Sequence, residues 1–123
     1  MNNRSEIWVW SAELIPTATA TPEITGFEVS ATDGDIGKVE EVVRGSDGRS
    51  YVVVDTGWWI FEKQRLIPAG AIVAIDHENR KVNVRLTKDE IRHAPDYEPE
   101  RRDDEDVREN HEDYYSPYAS SRR

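Results

Sequence analysis

At 123 residues the chain is long enough for one domain and too short for two ordinary ones. Hydrophobic residues account for 37% and charged residues for 33%, with a mean hydropathy of -0.78, so the ordered part is expected to be shorter than the whole. A net charge of -9 opposes long-range attraction to nucleic acid phosphates, and the absence of cysteine excludes disulfides, thiolate catalysis and thiolate metal sites while fitting a reducing, cytoplasmic setting.

Residues 1–25 read as an N-terminal arm and linker. Their apolar island, Ile7-Trp8-Val9-Trp10, lies between Glu6 and Glu13 and is too short for a signal peptide, and no stretch of the sequence approaches the length of a membrane span. Trp8 and Trp10 alternate as strand residues do, but so short an island is expected to form a loosely packed arm. Residues 16–22, Pro-Thr-Ala-Thr-Ala-Thr-Pro, then favour extended, weakly structured chain.

Residues 26–97 are dense in Val and Ile and punctuated by turn residues, which predicts about six short strands. Asp33-Gly34 signals a hairpin with a type I′ turn, and Gly45-Ser46-Asp47-Gly48 signals a second. Gly57 with Trp58 and Trp59 marks a third reversal, Pro68-Ala69-Gly70 a fourth break, and residues 77–80 join two further apolar runs. In the last strand Val82, Val84 and Leu86 share one face and Lys81, Asn83 and Arg85 the other, so that strand has a dry side and a wet side. Residues 51–54, Tyr-Val-Val-Val, are apolar on both sides and suit a strand in the middle of a small barrel or sandwich. Glu41 falls on the face of Val39 and Val43, which predicts a bulge that resets the register. Thr87-Lys88-Asp89-Glu90 fits a capping box, so a short helix is expected to run to about Ala94 and stop before Pro95. Residues 98–123 are rich in Asp, Glu and Arg and read as an acidic tail that is disordered, or holds a frayed helix around Arg101 to Glu112.

Several constellations bear on chemistry. The apolar run ending in Asp55-Thr56-Gly57 resembles an aspartic protease of the retropepsin type, in which two copies of Asp55 would share a proton across a dimer. Trp58 stands where that family has a small residue, and no later apolar-apolar-Gly element follows, so the segment reads better as a strand end entering a turn. His77, His93 and His111 have no i, i+4 ligand spacing and are expected to be solvated. Asp33-Gly34-Asp35 begins like a calcium loop but continues Ile36-Gly37, losing the third oxygen ligand. No cofactor or metal motif is found. Arg80, Lys81, Arg85, Lys88 and Arg92 form a candidate basic patch for an RNA backbone or an acidic partner, against the alternative of a solvated face paired with Asp76, Glu78, Asp89 and Glu90. Trp58, Trp59 and Phe61 are more aromatic surface than one small hairpin readily hides and are candidate partner-binding residues.

Taken in order, residues 29–39 (Val-Ser-Ala-Thr-Asp-Gly-Asp-Ile-Gly-Lys-Val), 51–57 (Tyr-Val-Val-Val-Asp-Thr-Gly), 66–70 (Leu-Ile-Pro-Ala-Gly), 82–86 and Ala94-Pro95-Asp96-Tyr97 resemble the PRC-barrel family. That family is shared by the cytoplasmic domain of the photosynthetic reaction-centre H subunit and the C-terminal domain of RimM, and the chain looks most similar to free-standing bacterial members with a short arm and a charged tail. The resemblance implies an all-β fold: a small, highly bent antiparallel barrel of about six strands with a short C-terminal helix and flexible termini. It implies a noncatalytic adaptor for protein-protein interaction, self-association included, with an unidentified protein partner and no cofactor. A RimM-like ribosome- or RNA-associated assembly factor is the alternative.

Overall fold

The computed structural model describes residues 4–11, 14, 23–45, 48–57 and 64–118. Six strands form one sheet: β1 (Glu28–Ala31), β2 (Gly34–Arg44), β3 (Ser50–Asp55), β4 (Gln64–Pro68), β5 (Ile72–Asp76) and β6 (Lys81–Val84), in the order β4-β3-β2-β1-β6-β5. Among the described residues, two α-helices follow, α1 (Lys88–Arg92) and α2 (Glu105–Tyr115). The sheet is strand-rich and bent as expected, but it is not closed by a ladder between β4 and β5. The 3-10 turn Ala69–Ala71 connects those two edge strands. One ladder also departs from an all-antiparallel sheet, because β1 pairs with β6 in parallel. The chain reverses between β1 and β2, β2 and β3, β3 and β4, and β5 and β6. At Ala69–Ala71 it bends without reversing, so β6 arrives with the sense of β1.

Most of the local expectations hold. The β2–β3 register shifts between Val39 and Glu41, so the bulge turns Glu41 outward while Val39 stays buried. β6 buries Val82 and Val84 and leaves Lys81 and Asn83 half-buried. Thr87 accepts from Glu90 N–H at 3.1 Å, and the Glu90 carboxylate accepts from Thr87 N–H at 2.8 Å, closing the capping box. Thr87→Ala is expected to lower stability by about 1 kcal/mol, read as a lower denaturation midpoint. The first hairpin sits where Asp33-Gly34 placed it, but its central residues are Thr32 and Asp33, and neither has positive φ. It is therefore not a type I′ turn; the Asp33 carboxylate instead accepts from Lys88 N–H at 2.9 Å and ties the hairpin to α1.

The two ends of the chain depart most from expectation. The arm is not loosely packed: residues Arg4–Trp8 form a 3-10 turn in which Ile7 and Trp8 are buried. It lies against Ala69–Ala71 so closely that a Cβ on Gly70 would come within 2.6 Å of the Glu6 and Ile7 carbonyl oxygens. Only a glycine permits that approach. The tail is not disordered over residues 105–115, which form α2 with His111 and Tyr115 buried. Asp104 caps α2, and Trp8 Nε1 donates to Glu112 at 2.8 Å, joining the two ends of the chain.

These additions explain why β3 is apolar on both sides. Val52 and Val54 alternate with Tyr51 and Val53, and all four are buried. The face carrying Tyr51 is covered by Trp8, whose ring meets Tyr51 edge-on at 6.1 Å, and by Tyr97 at 6.2 Å. Both covers lie outside the strand run itself.

Candidate interaction site

A cleft of about 120 Å³ lies on that covered face. Cross-strand pairing places Val43 beside Tyr51 and Val53 beside Leu66, so Val43, Tyr51 and Leu66 form its floor. Trp8 and Tyr97 line it from outside the sheet, and Val107, Arg108 and His111 line it from α2. Arginines rim the apolar interior. Arg49 sits 5.9 Å from the Trp8 ring and pairs with Glu105 at 3.3 Å, while Arg102 sits 5.9 Å from the Tyr97 ring and pairs with Glu41 at 3.1 Å. Arg108 pairs with Asp103 at 3.0 Å.

The polar groups at this seam are poorly satisfied. Among the described residues, Tyr97 Oη, Arg102 Nε, His111 Nε2 and Tyr115 Oη are buried without a hydrogen-bond partner. His111 was expected in solvent, but folding of α2 onto the sheet removes it from water. Its Nδ1 donates to the Val107 carbonyl at 2.9 Å, which leaves the Nε2 lone pair of the neutral ring facing protein. Burial pushes the phenols of Tyr97 and Tyr115 up.

Burial also holds the His111 imidazole below its ordinary value of 6.5, opposed by the Val107 and Pro95 carbonyls and by Asp96, and reinforced by the Arg65 charge. The unfolded chain therefore takes up this proton at higher pH than the folded one. Stability from neutral His111 is intact above pH 6.5 and declines as pH falls from there toward the depressed folded value. The thermal midpoint is expected to drop between about pH 7 and pH 5.5, and His111→Leu to flatten that part of the profile. An unchanged slope in the variant would assign the pH response to other groups.

The sequence-derived candidates fall elsewhere. Trp58, Trp59 and Phe61 lie outside the described residues, between β3 and β4. The basic residues are brought to the β1–β6–α1 region, but acids interleave with them. Lys81 lies 3.8 Å from Glu28 and 3.5 Å from Asp35, Arg92 lies 2.5 Å from Asp89, and Arg80 stacks over Phe27 at 4.9 Å. Arg85 is exposed, and Lys88 is half-buried beside Gly34. Asp55 ends β3 in an exposed position and accepts from Gly57 N–H at 2.9 Å, the role of a turn-closing residue. Asp35 accepts from Ser30 at 2.6 Å, and this bond, with Lys81 nearby, holds its carboxyl below the usual range. Among the described residues no group of His, Asp or Glu is placed to hold a metal ion, and no helix is long and apolar enough to cross a membrane.

Residues 17–91 match the model of the PRC-barrel domain, more than half of the chain. The chain belongs to the PRC-barrel family. No curated protein matches it. A solved structure named as a 16S ribosomal RNA processing protein, RimM, of Pseudomonas aeruginosa is similar at 17% identity and a TM-score of 0.45, over 54% of this chain and 42% of that one. The chain thus spans less than half the length of that protein. The cleft straddles the edge of the family match: Val43, Arg49, Tyr51 and Leu66 lie within it, whereas Trp8, Tyr97, Arg102 and α2 lie outside. Sequence reasoning missed this site because its walls come from both ends of the chain. The signals that could have found it were the buried-looking second face of residues 51–54 and the two tyrosines Tyr114 and Tyr115 in an otherwise acidic helix.

Proposed function

We propose that this PRC-barrel protein is a noncatalytic adaptor that binds a protein partner, with self-association as one mode. The observation that carries this reading is the cleft's composition. Trp8, Tyr51 and Tyr97 converge with Arg49 and Arg102, and tryptophan, tyrosine and arginine are the residues that dominate binding energy at protein interfaces. The noncatalytic part draws support from the family and from Asp55, whose exposed carboxylate closes a turn rather than occupying a water-excluded dyad. Trp58, Trp59 and Phe61 are proposed as a second aromatic contact on the β3–β4 connection. The acids among Arg80, Lys81, Arg85, Lys88 and Arg92 weigh against a ribosome- or RNA-associated role through that patch.

Affinity capture from the native cell, with light scattering on the pure protein, tests the adaptor reading. A stoichiometric protein partner or a defined oligomer is expected, and a monomer that captures nothing would end it. Replacing both Trp58 and Trp59 by alanine is expected to reduce association at least about tenfold while the circular dichroism spectrum stays unchanged. Loss of the folded spectrum would instead assign these tryptophans to the core.

A further inference from the structure

We infer that the groove beneath α2 is a docking site for an acidic amphipathic helix of a protein partner, and that α2 is its weakly held intramolecular occupant. This deepens the adaptor reading and rests on it. The fit of α2 is the first reason. Every buried side-chain polar atom without a partner among the described residues lies on α2 or on the stretch leading into it, namely Tyr97 Oη, Arg102 Nε, His111 Nε2 and Tyr115 Oη. Each has lost water without gaining a replacement bond, which opposes docking. The strand ladders and α1 contain no such atom among the described residues.

The second reason is space. The cleft of about 120 Å³ persists between the sheet floor and α2, close to the roughly 150 Å³ that accommodates a benzene ring in an apolar cavity. A larger apolar side chain on the covering helix would fill it. The third reason is the helix itself. At 11 residues α2 is too short to hold helical form in water alone, and the two residues it buries, His111 and Tyr115, both carry polar atoms into the seam. Its docking must therefore offset its own ordering chiefly through Tyr115, which is buried in the core with Tyr114 and Tyr118 packed against that core, and which leaves its own hydroxyl unpartnered there.

α2 also supplies charge. Glu105 lies 3.3 Å from Arg49, and Glu112 accepts from Trp8 Nε1 and lies 4.0 Å from Arg49. These contacts define the better occupant: a helix with carboxylates seven residues apart, in the places of Glu105 and Glu112, and leucine- or phenylalanine-sized side chains in the places of His111 and Tyr115. A second copy of this chain would bring the same unpartnered atoms, so exchange between copies gains nothing over the intramolecular contact. A foreign helix gains.

The test uses the full chain and a labelled peptide of residues 99–118 carrying His111→Leu and Tyr115→Phe. The peptide is expected to bind the parent chain saturably, and a scrambled peptide of the same composition is not. A full chain carrying the same two substitutions should hold its own α2 more firmly, so peptide affinity falls at least about tenfold. In hydrogen exchange, the α2 amides of the parent should open faster than those of β3, and the double variant should slow them by about tenfold or more. Should that variant fail to fold, Tyr115→Phe alone gives the same comparison in smaller measure. Equal peptide affinity for both chains, equal binding of the scrambled peptide, or α2 exchange as slow as that of β3 would each overturn the inference. A dimer formed by the parent through exchanged α2 would overturn the foreign partner. A cellular partner held equally by both chains would overturn the role of α2 while leaving the adaptor reading in place; capture of none, with the peptide still binding, would do the reverse.

Discussion

Replacing Gly37 by alanine is expected to destabilise the fold by about 4 kcal/mol or more. Gly37 lies on β2 opposite Val29 of β1, next to Lys38, which pairs with Asp55 at the end of β3. A Cβ there would sit 2.0 Å from the Asp55 carbonyl oxygen, 2.9 Å from its carbon and 3.0 Å from Thr56 Cα. All three are backbone atoms, so no rotamer change relieves the overlap. β2 cannot slide away either, because it is laddered to β1 on one side and to β3 on the other. Denaturant unfolding of the variant should show a collapsed midpoint or no cooperative transition. Gly48→Ala is the comparison: its Cβ meets nothing within 4 Å, and only its φ of +87° opposes the change, at about 1 kcal/mol. Similar midpoints for the two variants would show that the β2–β3 crossing yields more readily than its geometry implies.

Arg65→Ala is expected to cost about 3 kcal/mol. Arg65 lies on β4 and is buried, with only 4% of its surface exposed. Its Nε donates to the Ile91 carbonyl at 3.1 Å, its Nη2 to the Arg92 carbonyl at 3.1 Å and its Nη1 to Asp96 at 3.0 Å. The first two acceptors are carbonyls in the last turn of α1, where intrahelical donors run out, and the Ile91 carbonyl also accepts from Ala94 N–H at 3.2 Å. The ion pair itself adds little, because the Asp96 side chain is 51% exposed and its attraction to Arg65 is screened by water. Most of the loss comes from loosening the helix end that Arg65 ties to β4. Amides of α1 should therefore exchange faster in the variant while those of β2 and β3 change less. Arg65→Lys should recover only part of the loss, since one ammonium cannot present three donors in the fork that these acceptors match. Full recovery by lysine would show that charge, rather than the fork, holds α1 in place.

Arg65 also illustrates how sequence legibility ran out. In Gln64-Arg65-Leu66 an arginine reads as a solvent-facing residue, and nothing nearby along the chain announces that helix carbonyls will close over it. His111 and Trp8 behave the same way. Each looked like part of a solvated or loosely held end, yet both are buried by segments distant in sequence, Trp8 against Tyr51 and α2, and His111 as α2 folds onto the sheet. The candidate cleft was hidden for the same reason, whereas the basic residues around β6 and α1 were easy to see but are interleaved with acids once folded.

Local chemistry was enough for the rest. The six strands, the bulge at Glu41, the dry and wet faces of β6 and the Thr87–Glu90 capping box all depend on residues within a few positions of one another, where side-chain period and hydrogen-bonding capacity act directly. The order of those signals also placed the chain in its family. Tertiary structure alone decided which ladder would be parallel, that the sheet would stay open between β4 and β5, and that residues 4–8 and α2 would meet over Tyr51. Those outcomes depend on contacts between segments as far apart as Trp8 and Glu112, and burial of that kind leaves no periodic trace in either segment.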